Sequence, residues 1–507
     1  MLGNIFKTLG KVILHILILV LIPLDLMMIN INETLALVLT IGWIVLVNLV
    51  GIILRKKQEK KSGKTGIILF GCLDVIIILF MFVASFCNFY WNSECYRKTN
   101  WNDDSGNSTL TREQAIKDYE FALHYLNKVH PVTHSGLPAD MQAQADKVRA
   151  DLESAESITG CELSRELESI FSMLGDGHSE VEEWYETPHY MKHIYEHKKA
   201  GDTAIGINGI MYPDMLKQYS DRVSCDTTDY GIRMLKNRTG TIEGLRYLGI
   251  DTTGEIIYNY QTENGEYVDE VVTAEDFIIY DEYIAYEESV TGDDLDGSDS
   301  NEESEKDFVS YEIDEELSLA IFTLDDCTYN QHFRDVVAEM FEEVHSKNIQ
   351  NIAVDLRNNP GGSSRVGDEF INYLDVDTVK NWASELRCGP FYFNIDSKVK
   401  QNQKKGYSFD GNVYIITSVF TYSSAMDFAM MIQDNGLGKI VGEPSGNLPA
   451  SYGEVASFKL PESGLYMQLS SCKWHRVDET KEGLQIIPDI PCDPDDAIDV
   501  IKNEIGK

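Results

Sequence analysis

Two apolar runs, each ending in a turn that leads into a helix, constrain the fold of this chain most. The first, NIAVDLRNNPGG, covers residues 351–362, and the second, VYIITSVFTYSSAMDFA, covers residues 413–429. Similar segments alternate from residue 307 to 507: we predict strands at 319–324, 352–356, 413–417 and 439–442, and helices at 333–345, 365–373 and 425–433. Strands that alternate with helices predict an α/β domain with a mainly parallel sheet.

The two turns carry residue types that suit acyl-transfer chemistry. The first presents Gly361 and Gly362, whose N–H groups have no side chain beside them to block a carbonyl oxygen. The second presents Ser423 and Ser424 at a helix N-terminus, where backbone dipoles favour a developing negative charge. Donors from two loops beside a Ser hydroxyl indicate a serine hydrolase. The alternative is that one of the two Ser residues only caps the helix.

A Ser nucleophile needs a base, and two His residues are candidates. His178 follows a helix in the segment LGDGHSEV, and such a Gly-containing loop can direct an imidazole into a cleft. His475, near the C-terminus, is the second candidate. A third group, spaced every four residues, suits metal binding but lacks an HExxH motif, so we expect a solvated helix face; it comprises His189, His193 and His197.

Four segments, in order, resemble motifs of the C-terminal processing (tail-specific) serine peptidases, a family that includes the tricorn core protease. D-L-R-N-N-P-G-G at 355–362 is similar to the family's D-L-R-x-N-P-G-G, and T-Y-S-S-A-M-D-F-A at 421–429 is similar to its T-x-S-A-A-E-x-F-A. G-E-P-S-G-N at 442–447 and Q-I-I-P-D-I at 485–490 resemble G-E-P-T-x-G and G-V-x-P-D-I. The resemblance covers about residues 113–495 and implies a crotonase-like α/β core.

The resemblance also implies roles for the residues in the two turns. A gapless register makes Ser423 the nucleophile, with Ser424 as the alternative. The N–H of Ser424 then joins that of Gly361 or Gly362 in the oxyanion hole. This mechanism needs no metal and no cofactor.

This chain differs from one branch of the family at the position of the catalytic base, and this difference determines which base we predict. Relatives with a Ser–Lys dyad carry Lys just after G-E-P-T-x-G, where this chain has Leu448. The tricorn-like branch takes its His from a D-x-H segment, which corresponds to 176–178 and so to His178. Its C-terminal acid corresponds to Glu482. Glu479 and Asp478 remain alternatives, because the segment DETKEGLQ lacks the family's usual Glu-Asn.

The first 91 residues differ sharply from the rest of the chain. They contain three apolar stretches, at 12–31, 35–54 and 66–91. Because about 20 apolar residues in a helix cross a bilayer, we predict a three-helix transmembrane anchor at 1–91. His15, Pro23 and Asp25 interrupt the first stretch, so the side on which the N-terminus lies stays open.

The loop at 55–64, RKKQEKKSGK, determines the predicted orientation. It carries six basic residues beside one Glu, and positive loops stay cytoplasmic. The third stretch therefore leads outward. We expect a multi-pass protein of the cell membrane with everything after residue 91 on the extracytoplasmic side.

Composition divides the remaining chain into further predicted parts. A polar linker at 92–110 precedes a helical domain at 111–194 that carries His178. The segment GDTAIGINGI in a β-rich insertion at 195–285 resembles a degenerate PDZ domain, for which peptide docking and purely structural packing both remain open. An acidic segment at 286–306 is too poor in apolar residues to order itself, and the α/β peptidase core covers 307–507.

Together these observations predict a membrane-anchored extracytoplasmic serine endopeptidase that acts on proteins or peptides. The alternatives are a catalytically silent relative that binds peptides or hydrophobic ligands in the same cleft, and an acyl hydrolase that is not a peptidase. A net charge of −39 argues against nucleic acid as a partner. The nine Cys show no regular spacing, so we expect buried free thiols rather than a disulfide framework.

Overall fold

The computed structural model describes residues 103–291, 308–389 and 391–506, with five single positions before residue 80. The three stretches predicted to cross a membrane, at 12–31, 35–54 and 66–91, lie outside these residues apart from the single positions. Among the residues described, no helix combines the length and the apolar character needed to cross a membrane.

The described part begins with three helices and three short strands. In chain order these are β1 (Thr109–Thr111), α1 (Arg112–Val129), α2 (Ala139–Ser154), β2 (Ser157–Thr159), α3 (Gly160–Phe171) and β3 (Glu180–Glu182). Thr111 and Thr159 begin α1 and α3 with capping boxes, which satisfy N–H groups that the helices leave unpaired. The linker predicted at 92–110 is ordered at its end, because β1 pairs with β2 and the buried Ser105 accepts a hydrogen bond from the N–H of Trp184.

The next part is β-rich and has its own core around Leu245, Tyr247 and Ile256. Its elements are β4 (His189–Met191), α4 (Ile194–Lys199), β5 (Thr203–Ile207), β6 (Ile210–Met211), α5 (Tyr212–Gln218), α6 (Thr228–Thr239), α7 (Ile242–Tyr247), β7 (Ile256–Gln261), β8 (Tyr267–Val272), β9 (Phe277–Ile279) and α8 (Tyr280–Thr291). Strands β6, β5, β7 and β8 form a four-stranded sheet in that order, and β4 pairs with β9. The likeness to a PDZ domain stays a prediction. The prediction of a disordered acidic loop is wrong for residues 286–291, which continue α8; the rest of that segment lies outside the described residues.

The remaining elements follow the predicted β/α alternation. They are β10 (Val309–Asp314), β11 (Leu319–Leu324), α9 (Gln331–Ser346), β12 (Asn351–Asp355), α10 (Arg365–Ile371), β13 (Thr378–Lys380), β14 (Ala383–Cys388), β15 (Phe391–Ile395), β16 (Val399–Gln401), β17 (Asn412–Thr417), α11 (Ser424–Asp434), β18 (Lys439–Gly442), β19 (Tyr452–Lys459), β20 (Tyr466–His475), β21 (Ile490–Pro491) and α12 (Ala497–Ile505). The four predicted strands and three predicted helices all occur here, within one or two residues of the expected bounds.

A six-stranded sheet in the order β10-β11-β12-β17-β18-β21 forms the centre of this part. Its strands run parallel from β11 to β21, and only β10 is antiparallel to its neighbour. Helices α9, α10 and α11 cover one face and α12 covers the other. Because β12 and β17 are parallel neighbours, the turns that follow them meet at one edge of the sheet.

A second sheet connects the helical part to the α/β part. It has the order β15-β14-β20-β19, and β3 pairs with β20 through Val181 opposite Met467. Apolar side chains of α1 to α3 pack on β19 and β20 in one core, with Phe171 and Phe458 fully buried. This pairing carries the loop at 175–179, which directly precedes β3, to the edge of the central sheet.

The cysteines depart in part from the sequence prediction. Among the described residues, five cysteines are free thiols: Cys161, Cys225, Cys327, Cys472 and Cys492. Cys388, at the end of β14, is disulfide-bonded, so the prediction of free thiols is wrong for this residue.

Candidate active site

Ser423 lies at the junction between the turn after β17 and the first residue of α11. Its backbone has φ 52° and ψ −121°, a left-handed region that non-Gly residues rarely adopt. The Ser423 N–H donates to Oδ1 of Asn447 at 2.8 Å, and Asn447 is fully buried. The Ser423 hydroxyl makes no capping hydrogen bond to α11. Backbone strain at a strand–helix turn that leaves a hydroxyl unused is typical of a nucleophile elbow.

Ser424, the alternative nucleophile, has its hydroxyl engaged. Its Oγ donates to the carbonyl oxygen of Gly362 at 2.9 Å. Its N–H belongs to the first residue of α11 and therefore has no acceptor within the helix. Ser424 thus offers a backbone donor, while Ser423 offers the free hydroxyl.

The Gly turn after β12 is held against this junction by Asn359. The Asn359 side chain donates to the Leu324 carbonyl at 2.8 Å and accepts from the Gly361 N–H at 2.9 Å. The prediction of Gly361 as an oxyanion donor is therefore wrong, because the turn itself uses that N–H. The Gly362 N–H makes no hydrogen bond with any residue that the structure describes, so it and the Ser424 N–H are the free donors.

Gly361 has a different reason to lack a side chain. Its φ is +111°, and a Cβ built on it would lie 2.6 Å from the Cβ of Ser423 and 2.9 Å from the carbonyl oxygen of Tyr422. Carbon atoms in contact normally stay about 3.5–4.0 Å apart. Gly361 is therefore the position where the two turns come closest together.

His178 lies in the same cavity as Ser423, which has a volume of about 510 Å³. The His178 side chain is 11% exposed, and neither ring nitrogen has a hydrogen-bond partner among the residues described. The backbone holds the residue on both sides: its N–H donates to Asp176 Oδ1 at 2.9 Å, and its carbonyl accepts from the Gln468 side chain at 3.0 Å. The imidazole is thus fixed in position but free to exchange a proton.

Asp176 is the nearest carboxylate to the His178 ring, with Oδ1 3.6 Å from Nδ1. Its other oxygen accepts from the Ser179 hydroxyl at 2.6 Å and meets the His130 ring at 3.2 Å. Burial alone would raise the pKa of Asp176, but the His130 and His178 rings hold it below its ordinary value. Asp176 is therefore a stable buried anion beside the imidazole.

Glu482, predicted as the acid for His178, lies elsewhere. Its Oε1 is 2.8 Å from Nδ1 of His475, and its Oε2 accepts from the N–H of Arg476. Both contacts are local, because the turn after β20 folds Glu482 back onto the end of that strand. The alternatives do not face His178 either: Glu479 pairs with Lys380, and Asp478 accepts from Thr480. The prediction that Glu482 orients His178 is therefore wrong in this structure.

His475, the second candidate base, has both ring nitrogens occupied. Nδ1 contacts Glu482 and Nε2 contacts Glu385, each at 2.8 Å. His475 lines the same cavity as Ser423, but neither nitrogen is free to accept a hydroxyl proton. The two His residues therefore differ in their availability, which favours His178.

A stack of two Tyr rings packs against the His178 ring, and no sequence pattern predicted it. The Tyr422 ring lies 4.8 Å from the His178 ring, and the Tyr230 ring stacks on Tyr422 at 4.4 Å. A Cβ at Gly177 would collide with the Tyr422 hydroxyl, so this Gly lets the ring approach. Tyr230 comes from α6, and no local sequence signal connects it with a loop about fifty residues earlier.

The segment before Tyr230 also contacts the loop after β18. Thr227 Oγ1 donates to the Gly446 carbonyl at 2.5 Å, and the Leu448 N–H donates to Asp226 Oδ2 at 2.9 Å. Burial raises the pKa of Asp226 to about 6. No Lys lines the cavity in the described part of the chain, which agrees with Leu448 standing where a dyad Lys would be. The described residues also contain no group of three or more potential metal ligands.

The chain is a serine peptidase: the geometry joins an elbow Ser, a free imidazole and two backbone donors, and family comparison agrees. Residues 318–492 match the family model described as Peptidase family S41, so the chain contains a domain of this family of tail-specific proteases. No curated protein matches the sequence.

Solved structures support the fold. Mature CPAF superposes with a TM-score of 0.54 at 13% identity, over 78% of this chain and 96% of CPAF. Mature CPAF complexed with lactacystin gives the same TM-score and identity, over 78% and 98%. The photosystem II D1 C-terminal processing protease gives a TM-score of 0.41 at 11% identity, over 78% and 97%, a likeness too weak to carry a structural argument. At this identity the likeness to CPAF establishes a shared fold only.

Proposed function

We propose that this chain is a membrane-anchored endopeptidase that cleaves protein or peptide substrates on the extracytoplasmic side through Ser423 and His178. The observation that carries the proposal is the strained Ser423 backbone: it presents a hydroxyl to the cavity that also contains the His178 imidazole, and neither group has a hydrogen-bond partner among the described residues. Because strain of this kind costs about 1–3 kcal/mol, it persists where the surrounding structure enforces it, as at catalytic sites.

In the first half-reaction, Ser423 Oγ attacks the carbonyl carbon of the scissile peptide bond while His178 takes its proton. The carbonyl oxygen becomes an oxyanion and accepts hydrogen bonds from the N–H groups of Gly362 and Ser424. The protonated His178 then gives its proton to the leaving amine as the C–N bond breaks, which leaves an acyl ester on Ser423. Water, deprotonated by the same His178, hydrolyses this ester and restores the Ser423 hydroxyl.

Asp176 is the acid that supports His178 in this proposal. A carboxylate beside Nδ1 holds the proton there, so that Nε2 is the nitrogen free to accept the Ser423 proton. The distance of 3.6 Å is long for a hydrogen bond. Hydrogen bonds of catalytic residues are often long without substrate and tighten once it binds.

The proposed membrane anchor and its orientation are supported by the sequence and by one disulfide bond. The basic loop at 55–64 predicts that the chain leaves the cytoplasm after residue 91. The disulfide at Cys388 supports this side, because disulfides persist mainly in oxidising compartments. Protease added to intact cells should digest the region after residue 91 and spare the loop at 55–64; protection of the peptidase part would contradict the orientation.

Labelling with a fluorophosphonate tests the nucleophile in the detergent-solubilised full chain. We expect the probe to attach to Ser423, as mapped by mass spectrometry, and Ser423→Ala to abolish it. Ser424→Ala is the matched control, because it removes an adjacent hydroxyl but keeps the backbone N–H. Unlabelled wild-type protein that retains its fold would favour the alternative of a silent relative that only binds ligands, and labelling without peptide cleavage would favour a non-peptidase acyl hydrolase.

A further inference from the structure

One face of α11 lines the cavity next to the nucleophile. Ser423, Met426, Asp427 and Met430 have the spacing i, i+3, i+4 and i+7, which places them on one side of a helix, and all four line the cavity. Asp427 lies one turn below Ser423, about 6 Å along the axis at 1.5 Å per residue. It is therefore at the depth of the side chain next to a scissile bond held at Ser423.

Two Trp side chains form an aromatic side of the same cavity. Trp382 precedes β14 and Trp474 lies in β20, and their ring centroids are 4.3 Å apart at an interplanar angle of 76°. Trp382 and Asp427 line the same cavity, and the Trp382 indole N–H is near enough to the Asp427 carboxylate to lower its pKa. Aromatic faces beside a carboxylate are a combination that binds cations.

Among the described residues, no basic side chain lies within ion-pair distance of the Asp427 carboxylate, so its ionised form has no partner of opposite charge. Arg365, at the rim of the cavity, instead lies over the Tyr329 ring at 4.1 Å. Burial and, to a smaller extent, the neighbouring carboxylate of Asp368 raise the pKa of Asp427 to about 7, against a lowering by Trp382. A cation that entered the cavity would remove this repulsion.

We infer that this cavity selects Lys or Arg as the substrate residue on the acyl side of the scissile bond, with Asp427 as the specificity-determining residue. The four-carbon stem of Lys, or the stem of Arg, passes Met426 and the Trp rings, and its charged head reaches Asp427. The inference rests on the proposed function, since the cavity is a substrate pocket only if Ser423 is the nucleophile.

The rival occupant is a neutral apolar side chain, which the Met and Trp side chains would also accept. Norleucine separates the two cases, because it has the straight stem of Lys without the ammonium group. For the full chain in detergent, we would measure kcat/KM on four succinyl-Ala-Ala-Xaa-aminomethylcoumarin peptides in which Xaa is Lys, Arg, norleucine or Leu. We expect Lys and Arg to exceed norleucine at least about tenfold at pH 8.

Asp427→Asn should reduce the ratio of the Lys to the norleucine value toward one. Asp335→Asn is the matched control, because Asp335 lies exposed on α9 away from the cavity and loses the same charge. Thermal unfolding shows whether the Asp427→Asn protein is folded. The comparison of the four peptides with the wild-type enzyme does not depend on any variant. A norleucine or Leu value equal to or above those of Lys and Arg overturns the inference and leaves Ser423 in its role. Absence of both turnover and fluorophosphonate labelling overturns the proposed function itself.

Discussion

Replacement of Gly361 by Ala perturbs the nucleophile without removing any group that takes part in the reaction. The new Cβ would lie 2.6 Å from the Ser423 Cβ and 3.0 Å from the Ser424 nitrogen. Since carbon atoms in contact prefer about 3.5–4.0 Å, one of the two turns must move by about 1 Å. The backbone adds its own penalty, because an Ala at φ +111° costs about 1–3 kcal/mol.

The effect on the reaction should be larger than the effect on stability. A displacement of about 1 Å within a catalytic arrangement lowers the rate by about 100-fold. We therefore expect Gly361→Ala to slow fluorophosphonate labelling of Ser423 by about that factor while the protein still unfolds cooperatively. The assay is the second-order labelling rate, with thermal unfolding measured on the same preparation.

Gly136→Ala is the matched control for this prediction. Gly136 has φ +99°, close to that of Gly361, but a Cβ there would meet nothing within 4 Å. The control carries the backbone penalty without the collision, so it should lower the melting temperature and leave the labelling rate unchanged. If Gly361→Ala labels within about threefold of wild type, the turns do not fix the nucleophile as argued.

Three further predictions follow from buried charges. Asp176→Asn should lower kcat by several orders of magnitude through the wrong His tautomer, whereas Glu482→Gln should cost less than tenfold; equal losses in steady-state assays would contradict the assignment. Asp434→Ala should lower the free energy of unfolding by about 3–5 kcal/mol, because it leaves the guanidinium of Arg476 buried without its partner; denaturant titration measures this. Burial raises the pKa of Asp427 from its ordinary 3.8 to about 7 in the folded state. The resulting contribution to stability is therefore fully present below about pH 4 and is lost as the pH rises through 7. Asp427→Asn should therefore raise the melting temperature relative to wild type more at pH 8 than at pH 4, and a gain independent of pH would contradict this reasoning.

The sequence predicted the parts of the fold and of the site that depend on local signals. The parallel strands have apolar runs of the expected length, and the turns after β12 and β17 had to meet once those strands were neighbours. Ser423, Ser424, Gly362 and His178 lie in segments with Gly or Ser at turns, and all four line the cavity. For these four residues, the role suggested by residue type agrees with the position that the fold gives them.

Local sequence signals could not predict contacts between segments that are distant in the chain, or contacts formed where a turn folds back on itself. Glu482 was selected by its spacing from the P-D-I segment, but the turn after β20 directs it to His475, which is only seven residues away. Tyr230 reaches the site through the packing of α6, for which its own sequence carries no signal. The Gly361 N–H appeared free because no spacing shows that Asn359 folds back onto it.

The position of His178 in the cavity depends on the pairing of β3 with β20, a contact between segments almost three hundred residues apart. Three residue pairs, with the Gln468 and Ser179 side chains beside them, hold the loop before β3 at the edge of the central sheet. The segment matched to the peptidase family, 318–492, contains Ser423, Ser424 and Gly362, which carry the proposed nucleophile and oxyanion donors, but not His178, the proposed base. A chain whose helical part has not yet docked would therefore be an incomplete enzyme. Catalysis through His178 would then require the helical part to be folded and docked.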